Sequence, residues 1–244
     1  MVRTEVERLR ARIRAEAPFV GHVPGEPTGW AELDQNLGGG LPRGAWTVLT
    51  GPRGGGRSTV AARVLAGRSG PGCPVAWVDG TADLHPPGLS QQGVLLDRLL
   101  LVRCRTRASL SAFEQILSSG LFGAVVASGL EPWIEPAALR RLQSAVEAGG
   151  AMALWIWEPE GADRPTGAAL RLRVQRKPDP HAGSAAPLAL EVEKDRSGRA
   201  VGRKFYLSAG PSFPRGTVLD SRRWPSAHDL GIPDAGPGEV ASVR

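Results

Sequence analysis

Apolar residues occur in two textures along this chain. Between Trp46 and Trp157 they form short continuous runs separated by helix-patterned stretches, and after Trp157 they alternate with polar residues. The runs Trp46–Thr50, Pro74–Asp79, Leu99–Arg103, Gly123–Ala127 and Ala151–Trp157 predict buried strands bounded by glycine and proline. Val60–Ala66, a stretch opening at Leu89 and running to Leu96, Ser109–Ser119 and Pro136–Ala148 predict the helices between them. Leu110, Phe113, Ile116 and Leu117 share one face of the third of these. Strands alternating with helices imply right-handed crossovers and a mostly parallel sheet covered on both faces, an α/β fold. Leu170–Val174, Leu188–Val192 and Lys204–Leu207 alternate or nearly so. They predict antiparallel strands extending the sheet at one edge, with a hairpin turn at Asp195–Gly198.

The two ends carry different patterns. Met1–Ala17 predicts a basic amphipathic helix, with a capping box at Thr4 and Glu7 and a narrow stripe of Val6, Leu9 and Ile13. That stripe suits packing on the domain, docking of a partner, or self-association through the helix. From Gly210 onward Pro, Gly and Ser dominate and the expected conformation is irregular. Within it, Arg222, Arg223 and Trp224 form a basic-aromatic cluster fit for a short docking motif. The expected organisation is therefore a helix and linker over 1–27, a core over 28–209 and a tail over 210–244.

Length and charge narrow the picture only partly. The 244 residues suffice for one α/β domain with a large core. A net charge of +6, mostly from arginine, permits a nucleic-acid or acidic-protein partner, and equally a solvated arginine-rich surface. Cys73 and Cys104 have no metal-ligand spacing and read as free thiols in a reducing compartment, and the histidines form no zinc pattern. No run approaches the ~20 apolar residues of a membrane span. The expectation is a soluble, cytoplasmic protein with no metal site and no membrane partner.

Candidate chemistry centres on Gly51–Thr59, with the sequence GPRGGGRST, between a predicted strand and a predicted helix. Glycines there let backbone N–H groups surround a phosphate, and the helix N-terminus adds partial positive charge. Gly51, Gly56 and Ser58 satisfy the pattern G-x-x-x-x-G-K-[ST], while Arg57 occupies the lysine position. The candidate nucleotide-binding residues are Gly51, Gly54, Gly55, Gly56, Arg57, Ser58 and Thr59. The plainer reading is that the glycines serve only as the strand-to-helix connection.

The lead-in Thr28–Asp34, then Leu37–Gly44, the glycine loop and Val78–Asp79 together resemble the ATPase core of bacterial RecA recombinases. The resemblance spans roughly residues 28 to 209, and a short chain of this kind is similar to ImuA-type accessory proteins of the bacterial translesion-synthesis mutasome. It implies partnership with a Y-family polymerase-like protein of the ImuB type, with RecA recombinase and with an alternative replicative-type polymerase. It also implies a cytoplasmic bacterial protein, nucleoid-associated when active, in the DNA damage (SOS) response. Residue by residue, it implies a phosphate-reaching lysine where Arg57 stands, a metal-anchoring carboxylate where Ala127 stands, and a catalytic glutamate near Thr81. Phosphoryl transfer depends on positioning and electrostatics, so these replacements predict a degenerate, non-catalytic phosphate-loop protein. No cofactor is required on that reading, and ATP with Mg²⁺ stays open as a ligand. Asp79 matches a family aspartate at the strand end, and Asp83 or Glu131 could stand in by loop movement.

The two loops that touch DNA in recombinases would be Ser128–Glu135 and Glu158–Gly167, and neither is basic. Basic residues gather instead on the alternating strands. Arg171, Arg173, Arg176, Lys177, Arg196, Arg199, Arg203 and Lys204 are the candidate DNA-binding residues, by phosphate contact. The same charges would also blunt a sheet edge against aggregation. Rivals to the accessory role are an active DNA-dependent ATPase or recombinase, a RecA-like cell-division inhibitor, and a nucleotide-gated switch.

Overall fold

The continuous apolar runs become the middle of the sheet. The computed structural model describes residues 25–70, 72–104, 107–130, 134–157, 167–177, 186–198 and 200–208. All of these lie in the first of two compact units, 1–213. Its strands are β3 (Trp46–Thr50), β4 (Val75–Asp79), β5 (Leu99–Arg103), β6 (Ala124–Ser128), β7 (Met152–Ile156), β8 (Leu170–Arg176), β9 (Leu188–Asp195) and β10 (Lys204–Leu207). They form one sheet in the order β10-β9-β8-β3-β7-β6-β4-β5. β1 (Gly25–Glu26) and β2 (Leu41–Pro42) pair antiparallel as a separate ribbon. The helices are α1 (Ala31–Leu37), α2 (Arg57–Arg68), α3 (Pro86–Gln91), α4 (Arg107–Ser118) and α5 (Pro136–Gly149).

Every pairing from β3 through β7, β6, β4 and β5 is parallel. β8 also pairs parallel with β3 and antiparallel with β9, which pairs antiparallel with β10. The expected antiparallel extension therefore begins one strand later than the alternation suggested. Alternation records that one face is wet, and it carries no information about strand direction. The helix expected from Leu89 also differs. Pro86 opens α3 early, a position its fixed φ favours, and Leu96–Arg98 form a separate 3₁₀ turn.

Two apolar layers hold the sheet. On one side Val60, Val64 and Leu65 of α2 pack with Leu33, Leu89 and strand residues from Trp77 across to Val192 and Leu207. On the other, Phe113 and Leu117 of α4 and Leu142 and Val146 of α5 pack on Val48, Val78, Val125 and Trp155. That second layer takes no residue from β8, β9 or β10. Among the described residues, the sheet thus has two covered faces up to β3 and one covered face beyond it, which explains why continuous apolar runs give way to alternation. Among the described residues, no helix is long and apolar enough to cross a membrane.

Candidate functional site

The glycine loop runs from the end of β3 into α2 and lies against β8 and β9. Gly51 has φ 128°, and a Cβ on it would stand 2.1 Å from the Val174 carbonyl oxygen. Gly56, the N-cap of α2 at φ 97°, would place a Cβ 2.4 Å from Leu188 Cδ2. The Val174 carbonyl therefore demands glycine at Gly51, and the left-handed φ demands it at Gly56. Gly54 is exposed, and Gly55 is buried and donates its N–H to Pro52 O at 3.0 Å. Arg57 is only 6% exposed, and its guanidinium Nη1 donates to the Trp157 backbone oxygen just past β7. Ser58 is exposed and Thr59 half-buried, on the first turn of α2.

The carboxylate positions are sealed or apolar. Ala127 is fully buried in the layer under α4 and α5. Its neighbour Ser128 accepts the Trp77 indole N–H at 2.9 Å. Asp79 is fully buried at the end of β4. Its Oδ1 accepts from Thr81 N, Thr81 Oγ1 and Ala82 N at 3.2, 2.9 and 3.0 Å, and its Oδ2 accepts from Leu84 N at 3.0 Å. Asp79 thereby builds the loop that follows it, and Thr81 is one of its donors. Burial, and then the Asp79 charge, raise the thiol of nearby Cys104 above the usual cysteine value. Asp83 instead faces a cavity of about 450 Å³ that also meets Ser58, Thr59, His85, Gln92 and Arg176. Among the described residues, no group of three or more His, Cys, Asp or Glu side chains could hold a metal ion.

The basic residues of the extension separate onto two faces. Leu170, Leu172 and Val174 point into the core, so Arg171, Arg173 and Lys177 point to the uncovered face. Arg176 belongs to the other face, where it lines the cavity and donates to Ala186 O at 3.4 Å. A register shift between Arg171 and Leu172 places Arg171 opposite Lys194. Burial, then Arg171 and Arg196, hold the Lys194 ammonium below the usual lysine value. Arg196 Nη2 donates to Gly167 O at 3.0 Å. Exposed pairs link Arg173 to Glu193 at 3.6 Å and Lys204 to Glu191 at 3.4 Å. Arg203 is exposed where the chain enters β10.

Tyr206 is not among the candidate residues. Tyr206 is 57% exposed between buried Phe205 and Leu207, with Lys177 Nζ 4.5 Å from its ring centre. The Lys177 hydrogen bond and charge lower its phenol below the usual tyrosine value. Its outward position follows from the alternation of Lys204–Leu207, which was enough to find it. Of the other candidates, Arg199, the stripe Val6, Leu9 and Ile13, and the cluster Arg222, Arg223 and Trp224 lie outside the described residues. So do Glu131 and parts of both expected DNA loops.

A parallel sheet with a glycine loop between its central strand and a helix, extended at one edge by antiparallel strands, defines a RecA-type phosphate-loop fold. The RadB recombinase crystal structure superposes on it with a TM-score of 0.56 at 21% identity, covering 75% of this chain and 94% of that one. No protein-family model matches the chain. The RecA of Symbiobacterium thermophilum is 32% identical over 152 residues, 53% of this chain and 43% of that protein. The ImuA of Caulobacter vibrioides is 35% identical over 202 residues, 80% of this chain and 68% of that protein. The chain belongs to the ImuA family of RecA-like proteins. It spans less than half the length of the RecA proteins it matches.

Proposed function

We propose that this chain is a RecA-fold accessory protein of bacterial translesion synthesis that works by binding and does not hydrolyse ATP. It bridges a Y-family polymerase-like protein of the ImuB type with recombinase and DNA, in the cytoplasm at the nucleoid. The core over 28–209 is the platform, and the segments 1–27 and 210–244 are the docking elements.

The observation that carries this reading is the fate of Arg57. Hydrolysis needs a compact cation under the β- and γ-phosphates. Here the cation at that position is buried and ends on the Trp157 carbonyl. Two further placements support it. Ala127 puts a methyl group where a metal-anchoring carboxylate would stand, and Asp79 is occupied by its own loop. These residues do not fit a Mg²⁺–ATP hydrolysis site, and each such loss costs orders of magnitude in rate. The test is co-purification of the tagged full chain from cells that contain an ImuB-type protein. Capture of that protein supports the reading. Capture of the division polymer in its place would replace it with the cell-division rival.

The cavity beside Ser58 and Thr59 favours a second reading, a nucleotide-gated switch that binds ATP without turnover. Its polar lining of Asp83, His85, Gln92 and Arg176 suits a small polar ligand. Partner capture that changes on adding ATP would select this reading over a nucleotide-independent scaffold.

A further inference from the structure

Among the described residues, no core layer or helix covers the outward face of β8, β9 and β10. Its outward residues carry an excess of positive charge, with Arg171, Arg173, Lys177, Lys194, Arg196 and Lys204 set against Glu191 and Glu193. Asp195 is consumed by the hairpin, where its carboxylate accepts from Ser197 N and Ala200 N at 2.9 and 3.0 Å. The Arg173–Glu193 and Lys204–Glu191 pairs are exposed, and pairs of that kind are weak enough for a phosphate to displace. Lys194 stands opposite Arg171 across the β8–β9 pairing, which gathers cationic groups at that end of the face.

Charge alone would suit any acidic partner. The aromatic ring narrows the class. Tyr206 is the large side chain on the outward face of β10, and one exposed ring by itself needs no explanation. This one, however, has a lysine ammonium 4.5 Å from its ring centre and Lys204 two residues away on the same face of the strand. A flat sheet that pairs an exposed ring with flanking cations offers stacking for a base and charge for the phosphates on either side. Outward side chains two residues apart lie roughly 6.7 Å apart, a spacing that can follow an extended strand. Duplex bases are already stacked on one another and cannot use the ring.

We propose that the outward face of β8–β10 binds single-stranded nucleic acid, with a base stacked on Tyr206 and phosphates held by Lys177, Lys204 and the cluster of Arg171, Lys194 and Arg196. This supplies the nucleic-acid side of the bridging role above, and rests on that role only for its purpose in the cell.

The experiment is fluorescence anisotropy of the full chain with a labelled oligothymidylate of about 16 nucleotides, across a salt series. A duplex of the same length and a polyglutamate peptide serve as competitors. The expected result is salt-sensitive binding in which the single strand is preferred to both competitors. Tyr206→Ala should weaken it about tenfold, and Tyr206→Phe should retain it, because the ring and not the hydroxyl is used. Arg171→Gln should lower the salt slope by about 0.7. Binding that ignores Tyr206→Ala, or that polyglutamate or duplex displaces equally well, would overturn the proposal in favour of a general anionic partner. Absence of saturable binding would overturn it as well. Neither result touches the bridging role, which polymerase capture tests separately.

Discussion

At the glycine loop, Arg57 is 6% exposed and its guanidinium ends on a backbone carbonyl. On the β8–β10 face, Tyr206 is 57% exposed, with Lys177 beside its ring. Both regions carry residues that could meet a phosphate, and both belong to the same sheet, at opposite sides of β3 and its neighbour β8. They differ in where their polar groups are spent. At the loop, Thr81 donates to Asp79, Arg57 donates to a backbone carbonyl, and Gly51 is fixed by the Val174 carbonyl. On the extension, the polar groups point out, and partial burial beside Arg171 and Arg196 holds the Lys194 ammonium below the usual lysine value. A motif can thus persist because the chain's own packing requires it, while an unremarkable alternating stretch carries the groups available to a partner.

This contrast makes loop substitutions act on stability and face substitutions act on binding. The largest stability effect should come from Asp79→Ala. It leaves the N–H groups of Thr81, Ala82 and Leu84 without their acceptor, and should cost about 3 kcal/mol. Thermal melting should show a fall of roughly 6–12 °C for a chain of this size. A nearly unchanged melting temperature would mean that Asp79 is held for chemistry and not for the loop.

Arg57→Ala comes next. It orphans the Trp157 carbonyl and empties a buried side-chain volume, so a loss of about 1–3 kcal/mol is expected in chemical denaturation. If Arg57 were instead a buried charge waiting for phosphate, its removal would stabilise the free protein. Arg57→Lys sharpens the point further. It should not produce hydrolysis, because Ala127 still offers no carboxylate.

Tyr206→Ala should leave the melting temperature almost unchanged, since the ring is mostly in solvent. Its effect belongs to the oligonucleotide measurement described above. A large loss of stability from this change would move Tyr206 from the face to the core side of the comparison.

Lys194→Gln should have the smallest effect on stability, and one of opposite sign. The Lys194 pKa is lowered in the folded chain, so the native state holds this proton less firmly than the unfolded chain does. The unfavourable contribution is complete below the lowered value and disappears as pH rises toward the ordinary 10.5. Lys194→Gln should therefore be slightly stabilising near neutral pH, with the gain fading in alkaline solution. A melting series from neutral to alkaline pH checks this.

Much of the fold was legible because burial leaves a pattern. Leu99–Arg103 forms a strand over the residues its apolar run marked, and the shift to alternation after Trp157 marks where the second helical layer stops. The direction of β8 was not legible. A strand with one wet face alternates whether its neighbour runs parallel or antiparallel, and only the tertiary crossover decides. The early start of α3 was signalled by Pro86 and Pro87, whose place at a helix N-terminus outweighs the apolar residues that follow. At the site, the replacement of lysine by Arg57 could be read directly, but its destination could not. Trp157 lies 100 residues away in sequence and meets Arg57 only because β7 pairs beside β3. Tyr206 was readable in principle from its place between two core residues. Charge alone singles out Lys204 and not Tyr206 on that strand.

The most direct test of the central claim is phosphate release from Mg²⁺–ATP by the full chain, measured with saturating oligothymidylate present. The account predicts a rate indistinguishable from buffer and unaltered by the oligonucleotide. A rate that scales with protein concentration and disappears in Arg57→Ala would contradict it. The loop would then be a working site, and the carbonyl of Trp157 only a resting place for its cation.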